Sequence, residues 1–259
     1  VSWDLGEIAQ MANQFKVVIL PHVHSALATT YSRLVKPTVP TVVDLYDPVL
    51  IENLAFQPVN QAGVRDFANF LTGVLPLLRR GDFFVCANER QYYYYLGVLN
   101  ALGRINPLTF HYQLLDLVPF GVEPEPPQHT KQVMRGVFVG PNDPVILWFS
   151  GIYPWFDAVT LVKAMPEVLK AIPSCKLVVM GGVHPRGHAP DYEFKATVNE
   201  AEKSGLINKA VFFVDWQPFA DRANWYLEAN LAVTTYKNSL ETVLSHRTRV
   251  IDFLWAGLP

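Results

Sequence analysis

The sequence predicts an α/β protein made of two domains, each with a parallel β-sheet. Short runs rich in β-branched and aromatic residues alternate along the chain with longer runs whose apolar residues recur at helical spacing, which is typical of βαβ units. A stretch rich in proline and glycine interrupts this alternation near the middle. Half of the 259 residues are hydrophobic, which is enough to form a large core.

The first half contains runs that read as four strands and two helices. The strands are predicted at 16–20, 41–45, 82–86 and 114–118, and the helices at 64–79 and 88–102. Asn88 should cap the second helix, with Gln91 as its capping-box partner. This helix carries a run of four tyrosines at 92–95. We expect these side chains mainly to pack, and docking of a glycan or a lipid is the alternative.

The second half repeats the alternation of strands and helices. Strands are predicted at 145–150, 176–180, 211–214 and 231–235, and later helices at 190–204 and 219–229. The helix after the first strand should present Leu161, Met165, Val168, Leu169 and Ile172 on one face. Pro166 is expected to kink or restart that helix. The segment RTRVIDFLWAGLP reads as a last helix that Gly257 ends.

The domain boundaries follow from the composition of the middle of the chain. We assign 1–123 to the first domain, 124–142 to a linker and 143–259 to the second domain. A long surface loop within a single domain is the alternative to a linker. There is no initiating methionine, and the first strand begins early. We therefore expect a piece of a longer protein in which both domains are truncated.

Charge and cysteine content exclude several classes of protein. The net charge is −2 and only 17% of residues are charged, which argues against a general nucleic-acid-binding or anionic-membrane-binding surface. Apolar runs do not reach the roughly 18 residues of a membrane-spanning helix. Cys86 and Cys175 lie far apart in strand-like contexts. They predict two buried free thiols in a cytoplasmic protein.

Residues that follow the strands are the candidates for binding, because open parallel sheets bind ligands beyond the carboxyl ends of their strands. In the second half these segments are 151–157, 181–188, 215–219 and 236–249. Together they supply glycines, aromatic side chains, arginines and acids, a mixture that suits a nucleotide. The candidates for contact with it are Gly151, Tyr153, Trp155, Asp157, Gly181, Gly182, Trp216, Gln217, Arg247, Arg249 and Asp252.

Asp252 is a single carboxylate on an otherwise apolar helix, and such a group needs a partner. Arg249 precedes it by three residues, so a structural ion pair is one interpretation. The other is that Asp252 accepts hydrogen bonds from a ribose diol. Arg247, Arg249 and the helix N-terminus would then hold the neighbouring phosphates.

Other common nucleotide and metal motifs are missing from the sequence. No G-x-G-x-x-G follows a strand, and neither a P-loop nor a D-x-D occurs. These absences argue against a dehydrogenase, an NTPase and a glycosyltransferase that holds its donor through a metal. The histidines are scattered, at positions 22, 24, 111, 129, 184, 188 and 246. We therefore expect no bound metal and no cofactor.

Several blocks of the sequence resemble the retaining glycosyltransferases of the GT-B fold, in the large family-four group. DFLWAGLP resembles the E-A-x-A-x-G-x-P helix of that family, and LVPFGVEPEPP resembles its interdomain V-P-x-G-V-D. VVDLYDP, GIYPWFD and ETVLSHRTRVIDFLWAGLP are similar to blocks of a bacterial subgroup linked to cell-surface polysaccharides. The resemblance covers essentially the whole chain, and the order and spacing of the blocks make it specific.

The resemblance implies two Rossmann-like domains, the second of which binds a nucleoside-diphosphate sugar. Asp252 would bind the donor ribose, Gly151 and its neighbours would approach the phosphates, and the backbone around Trp216 and Gln217 would meet the base. The arginine and lysine usual after the Gly151 strand are absent, and IYPWFD stands in their place. Arg247 and Arg249 would then take the phosphate charge.

The catalytic candidates come from both domains. Asp44, Tyr46 and Asp47 lie where the family often has a His-Asp pair near the reacting sugar, although the histidine is missing here. Glu241 would reach the donor sugar. It lies eleven residues before Asp252, whereas the two acids of the family are usually eight apart.

The implied reaction is metal-independent transfer of a sugar to a hydroxyl acceptor with retention, in polysaccharide or glycolipid synthesis. The implied partners are a nucleotide-sugar donor and a glycan or lipid-linked acceptor, with no nucleic acid. Peripheral association with the inner face of the membrane is left open. The alternatives are a nucleotide-sugar epimerase of the same fold and a non-enzymatic two-domain protein that binds a small solute.

Overall fold

The protein divides into two compact units. The computed structural model describes residues 4–21, 25–187 and 189–259. Unit 1 contains Val1–Phe120 and Val243–His246, and unit 2 contains Gly121–Thr242 and Arg247–Pro259. The predicted domain boundaries stay predictions, because a division by spatial contacts does not test where a domain folds independently.

Unit 1 is built on a parallel sheet whose strands follow one another in chain order, β1-β2-β3-β4. The strands are β1 (Val18–Pro21), β2 (Thr41–Asp44), β3 (Phe83–Cys86) and β4 (Leu115–Leu117). The helices described in it are α1 (Leu5–Ala12), α2 (Ser25–Leu34), α3 (Val49–Glu52), α4 (Gln61–Arg80) and α5 (Glu89–Ala101). The four predicted strands and the two predicted helices are confirmed, with ends that shift by a few residues. The sequence reading missed α1, α2 and α3.

Unit 2 contains a second parallel sheet, with the order β7-β6-β5-β8. Its strands are β5 (Val145–Gly151), β6 (Lys176–Gly182), β7 (Val211–Val214) and β8 (Leu231–Ala232). Between and after them come α6 (Ala158–Ala171), α7 (Tyr192–Lys203), α8 (Arg222–Glu228), the short α9 (Leu240–Leu244) and α10 (Thr248–Trp255). A single 3-10 turn precedes α8 at Phe219–Asp221.

Two local expectations need correction. Asn88 caps α5 by accepting a hydrogen bond from the Gln91 amide at 3.0 Å, but Gln91 does not return the bond. Its side chain instead binds the Ala87 amide and the Tyr46 carbonyl, at 2.9 and 2.8 Å. Pro166 does not restart α6, which is one continuous helix. Val162 and Met165 are buried in the core before the proline, and Val168 and Leu169 pack against the same cluster after it, so the helix is stabilised on both sides.

The last strand is shorter than predicted because the residues that follow it bind the segment after β5 instead of extending the sheet. After Ala232 the chain leaves β5, and Thr235 binds Asp157 twice. The Asp157 amide donates to the Thr235 carbonyl at 3.0 Å, and the Thr235 hydroxyl donates to the Asp157 carbonyl at 2.7 Å. These bonds fix the segment after β5 against the segment after β8.

Residues of the predicted linker pack closely within unit 2. Met134 and Val139 are buried in the same hydrophobic cluster as Trp225 and Tyr226 of α8. The Glu228 carboxylate accepts hydrogen bonds from the amides of Val133, Met134 and Arg135 at 2.7–2.9 Å, and from His129 at 2.8 Å. The end of α8 therefore anchors this segment.

Two further features bear on the classes of protein considered above. Cys86 and Cys175 are free and buried, as predicted. Across the described ranges, no helix is both long and apolar enough to cross a membrane.

Candidate functional site

The order of strands in unit 2 defines where a ligand would bind. β6 and β7 lie on one side of β5, and β8 lies on the other. The chain therefore reverses its direction of travel across the sheet between β5 and β8. Ligands of open parallel sheets bind in the crevice beyond the carboxyl ends of the strands at such a reversal. Segment 151–157 comes at the end of β5 and segment 236–249 comes after β8, as the sequence predicts.

Arg249, in the first turn of α10, lies against residues that follow β5 and β8. Its guanidinium carbon is 4.3 Å from the ring centroid of Phe156 and 5.9 Å from that of Trp148. One of its terminal nitrogens is 3.5 Å from the hydroxyl of Thr234. Burial is the main cause that lowers the pKa of Arg249, and the positive charge of Arg247 lowers it further.

The charge of Arg249 is not compensated within the described part of the chain, where no acidic side chain forms an ion pair with it. A cation that has lost much of its water and has no counter-ion is costly. Arginine nevertheless stays protonated in proteins. An anion that enters this crevice would remove the cost and form charge-assisted hydrogen bonds.

Arg247 has a different environment, although it lies only two residues away. Its two terminal nitrogens donate to the two carboxylate oxygens of Glu241 at 2.9 and 3.0 Å. Its guanidinium carbon also lies 3.9 Å from the ring centroid of Tyr236. Glu241 is only 5% exposed, so this two-point pair neutralises both charges. The catalytic role predicted for Glu241 stays a prediction, and its observed contacts include Arg247 and the Thr242 hydroxyl, at 3.3 Å.

Asp252 is paired, but not with Arg249. One carboxylate oxygen accepts a hydrogen bond from the Tyr226 hydroxyl at 3.1 Å, and the other lies 3.9 Å from Nε of Arg222. The structural ion pair with Arg249 is therefore wrong, because the Arg249 side chain packs against Phe156. The carboxylate remains 32% exposed. It can accept further hydrogen bonds from a ligand.

The partners of Asp252 are themselves held in place. Burial raises the pKa of the Tyr226 phenol, and the negative charge of Asp252 adds to this effect. The Arg222 guanidinium is 3.9 and 4.8 Å from the ring centroids of Phe219 and Trp255. It also donates to Glu123 at 2.8 Å. The sequence reading missed Tyr226 and Arg222, and their spacing before a two-residue strand gave no sign of the contact with α10.

The predicted residues after β5 form an aromatic cluster. The rings of Tyr153 and Trp155 are 5.4 Å apart, and Tyr153 packs close to Gly151, where an added Cβ would meet its ring at 2.4 Å. Burial raises the pKa of Tyr153, and the nearby Arg249 charge opposes this rise. Asp157 caps α6 through the Thr160 amide at 3.2 Å. Of these four positions Tyr153 lies near Arg249, and the contact of all four with a nucleotide stays a prediction.

Gly181 and Gly182, at the end of β6, have φ values of +109° and +105°. A Cβ on Gly181 would lie 2.6 Å from the Ser150 carbonyl oxygen on the neighbouring strand, so packing alone requires this glycine. Trp216 donates from its indole to the Val183 carbonyl at 2.6 Å, and Gln217 binds the Asp215 carbonyl at 3.0 Å. The ring of Trp216 is 40% exposed, which leaves part of it free to meet a base.

The three candidates of unit 1 lie at and just after the carboxyl end of β2. Burial raises the pKa of Asp44, and the Tyr46 amide opposes this rise. Burial likewise raises the pKa of the Tyr46 phenol, and the charges of Asp47, Glu52 and Asp44 raise it further. The Asp47 carbonyl accepts a hydrogen bond from the buried Tyr95 hydroxyl. The structure thus groups these acids around one phenol, and their acceptor-side role stays a prediction.

In the residues that the structure describes, no group of three or more His, Cys, Asp and Glu side chains could hold a metal ion. His22, His24 and His188 lie outside those residues. His129 contacts Glu228, and His184 lies 6.0 Å from the ring of Tyr153. The expected absence of a metal stays a prediction.

Several solved structures are similar in fold to this chain. Sucrose-phosphate synthase from Thermosynechococcus elongatus is 16% identical, with a TM-score of 0.63 over 98% of this chain and 57% of that one. TarM, a protein of S. aureus, is 10% identical, with a TM-score of 0.62 over 98% of this chain and 42% of its own. HepE of Anabaena, solved in complex with UDP, is 13% identical, with a TM-score of 0.57 over 98% and 61%.

These likenesses confirm the predicted fold class. The chain has the α/β fold with parallel sheets of the GT-B glycosyltransferases. It spans about half the length of the solved chains that it matches. No protein-family profile and no curated protein sequence matches the chain. At these identities the likeness shows the fold and no finer grouping.

Proposed function

We propose that the protein is a glycosyltransferase that moves a sugar from a nucleoside-diphosphate donor to a hydroxyl acceptor. The observation that carries this proposal is Arg249, a partly buried cation at the strand reversal of unit 2 that forms no ion pair with an acidic side chain among the described residues. A diphosphate is the kind of anion that such a site attracts. HepE, which shares the fold, was solved with UDP and with UDP and glucose, and this supports a nucleotide sugar as the source of the diphosphate.

The neighbouring side chains suit the rest of such a donor. Asp252 offers a partly exposed carboxylate oxygen for a ribose diol, on the same helix as Arg249. The exposed part of the Trp216 ring is a platform for a base. Gly151 ends β5 and lets the backbone approach the phosphates. Each of these groups meets a different part of one ligand, which a site for a free phosphate would not require.

In the proposed reaction the acceptor oxygen forms a bond to the anomeric carbon as the bond to the diphosphate breaks. The diphosphate leaves with the bonding electrons, and the acceptor proton passes to a leaving phosphate oxygen. Attack on the face that the diphosphate leaves retains the anomeric configuration. Arg249 would stabilise the charge that develops on the leaving group, an effect worth about 3 kcal/mol per donor in comparable acyl-transfer sites.

Transfer to a hydroxyl acceptor is tested directly by product analysis. We expect the purified protein to form a glycoside from a nucleotide sugar and a hydroxyl acceptor, with the donor's anomeric configuration and with EDTA present. The anomeric configuration is measured by NMR. An epimerised nucleotide sugar formed without acceptor would contradict the proposal. Binding of free sugar as tightly as nucleotide sugar, without transfer, would also contradict it and would indicate a solute-binding protein.

The proposed ribose contact predicts a specific effect of Asp252→Ala. We expect this change to weaken binding of a ribonucleoside diphosphate by roughly 1–3 kcal/mol, the usual cost of an unpaired buried polar group. The same change should not weaken binding of a 2′,3′-dideoxy analogue, because that nucleotide lacks the diol. Calorimetry measures both affinities. Tyr226→Phe is the control, because it removes the hydrogen bond to the Asp252 carboxylate and keeps the carboxylate itself. If Asp252→Ala weakened binding of both nucleotides equally, Asp252 would not bind the diol.

A further inference from the structure

We infer that unit 1 carries a binding groove for a neutral glycan chain, formed by α5 and the loop between α5 and β4. The groove has a volume of about 570 Å³, which lies within the usual range of ligand sites. Its lining comprises Tyr92, Tyr93, Leu96, Gly97, Asn100, Ile105, Phe110, Tyr112, Gln113, Leu114 and Leu115. The inference does not rest on the proposed transfer reaction, because it concerns binding in the absence of any donor.

One wall of the groove is a second face of α5. The buried face of this helix carries Gln91, Tyr95 and Leu99, which pack into the core. Tyr93, Gly97 and Asn100 follow one another at intervals of four and three residues, so they share a different face. Tyr93 is 70% exposed. The expectation that most of the tyrosine run packs is confirmed for Tyr95, whereas Tyr93 remains open to a ligand.

The opposite wall is a loop that is fixed by its own hydrogen bonds. The Thr109 hydroxyl donates to the Arg104 carbonyl at 2.6 Å, and Asn106 binds the Gly103 carbonyl and the Leu108 amide, both at 2.9 Å. The Arg104 guanidinium in turn donates to the Gly81 carbonyl at 2.6 Å. The loop presents Phe110 and Tyr112, which are 71% and 68% exposed. The hydrogen bonds order the backbone of the loop just before Phe110 and Tyr112, which lowers the cost of presenting these two rings to a ligand.

Gly97 indicates that the space between the walls is kept for a ligand. Glycine in a helix interior is unfavourable relative to alanine. An added Cβ at Gly97 would meet no atom within 4 Å, so packing of the protein does not require a glycine at this position. Because Gly97 lines the groove, a large side chain here would take up part of the space. A ligand that comes close to the helix backbone at Gly97 explains why this position has no side chain.

The chemistry of the lining selects a neutral sugar over a charged ligand or an anionic lipid. Among the described residues that line the groove, none carries a charge. The exposed amides of Asn100 and Gln113 can exchange hydrogen bonds with hydroxyl groups. The electron-rich faces of the aromatic rings attract the polarised C–H bonds of a sugar ring. Aromatic faces combined with uncharged donors and acceptors match the two kinds of surface of a pyranose.

The groove is distinct from the acceptor-side candidates of unit 1. The loop at 103–114 leads into the amino end of β4, whereas Asp44, Tyr46 and Asp47 follow the carboxyl end of β2. In a parallel sheet these ends lie at opposite edges. Gln91 and Tyr95, which bind the carbonyls of Tyr46 and Asp47, lie on the buried face of α5, whereas the groove runs along its exposed face.

Affinity electrophoresis in gels that contain dextran, mannan or starch tests this inference with the whole protein. We expect at least one of these neutral polysaccharides to retard the protein. Gly97→Leu and Tyr93→Ala should each weaken the retardation at least tenfold, without lowering the melting temperature. Tyr192→Ala, which alters a tyrosine of unit 2 that is 50% exposed, should leave the retardation unchanged.

Three outcomes would overturn the inference. The first is that none of the polysaccharides retards the protein. The second is that Gly97→Leu and Tyr192→Ala migrate alike in the gel that retards the unaltered protein. The third is that the protein binds phosphatidylglycerol vesicles through Tyr93 and binds no polysaccharide, which would make the groove a lipid site.

Discussion

Replacement of Arg249 by methionine is expected to weaken binding of a nucleoside diphosphate by about 100-fold without destabilising the protein. The loss follows from a hydrogen bond between charged groups, worth about 1.5–3 kcal/mol. Stability should be unchanged or higher by about 1 kcal/mol, because methionine fits among Phe156 and Trp148 and removes a desolvated cation. Calorimetry and thermal unfolding measure the two effects on the same sample.

Arg247→Met is the matched control, because it makes the same change two residues away. This variant leaves the Glu241 carboxylate buried and without its two-point partner, so it should lower the free energy of unfolding by about 3 kcal/mol. The two arginines would then separate into a binding role and a structural role. A stability loss in Arg249→Met, with unchanged nucleotide affinity, would assign Arg249 to the structural role instead.

Replacement of Glu228 by alanine is expected to lower the free energy of unfolding of unit 2 by about 4 kcal/mol. The change removes the acceptor of three backbone amides and of His129. Each buried donor left without a partner costs about 1–3 kcal/mol. Urea unfolding measures the effect. Glu202→Ala, which alters an exposed carboxylate of α7, should change stability by less than about 0.5 kcal/mol.

The same carboxylate predicts a dependence of stability on pH. Burial alone would raise the pKa of Glu228, but the hydrogen bonds from His129 and the three amides outweigh it and lower the pKa. A lowered pKa in the folded state contributes stability that is complete above the unfolded value of about 4.3 and is lost as the pH falls through the folded value. The unaltered protein should lose stability over this acidic range more steeply than Glu228→Gln. If the free energy of unfolding of the two proteins fell equally with pH, the role assigned to Glu228 would be contradicted.

The fold was largely predictable because its signals are local. The eight strands predicted from the sequence all occur among the described residues, since buried parallel strands are short apolar runs bounded by turn residues. The helices that were missed include α9, which has five residues, and α2, where four of the ten residues are serine or threonine. β8 was predicted too long because the hydrogen bonds between Thr235 and Asp157 join segments that are distant in the sequence, and local patterns do not reveal such contacts.

The site was predictable in its location but not in its pairing. The rule for parallel sheets brings the segments after β5 and β8 together, and the structure does so. Spacing along α10 indicated Arg249 as one possible partner of Asp252, whereas Tyr226 and Arg222 from α8 are its observed partners. A partner from another element cannot be inferred from helical spacing. The environments of Arg247 and Arg249 likewise differ because of Glu241 and Phe156, which tertiary packing places beside them.

The central claim is that a nucleoside diphosphate binds in unit 2 with its diphosphate on Arg249. A thermal-shift panel of nucleoside diphosphates identifies the one that raises the melting temperature most, and a crystal structure of that complex tests the claim most directly. We expect the diphosphate oxygens within hydrogen-bonding distance of the Arg249 guanidinium and the ribose hydroxyls within reach of Asp252. A diphosphate bound elsewhere, with Arg249 still packed on Phe156 and free of any anion, would contradict the account.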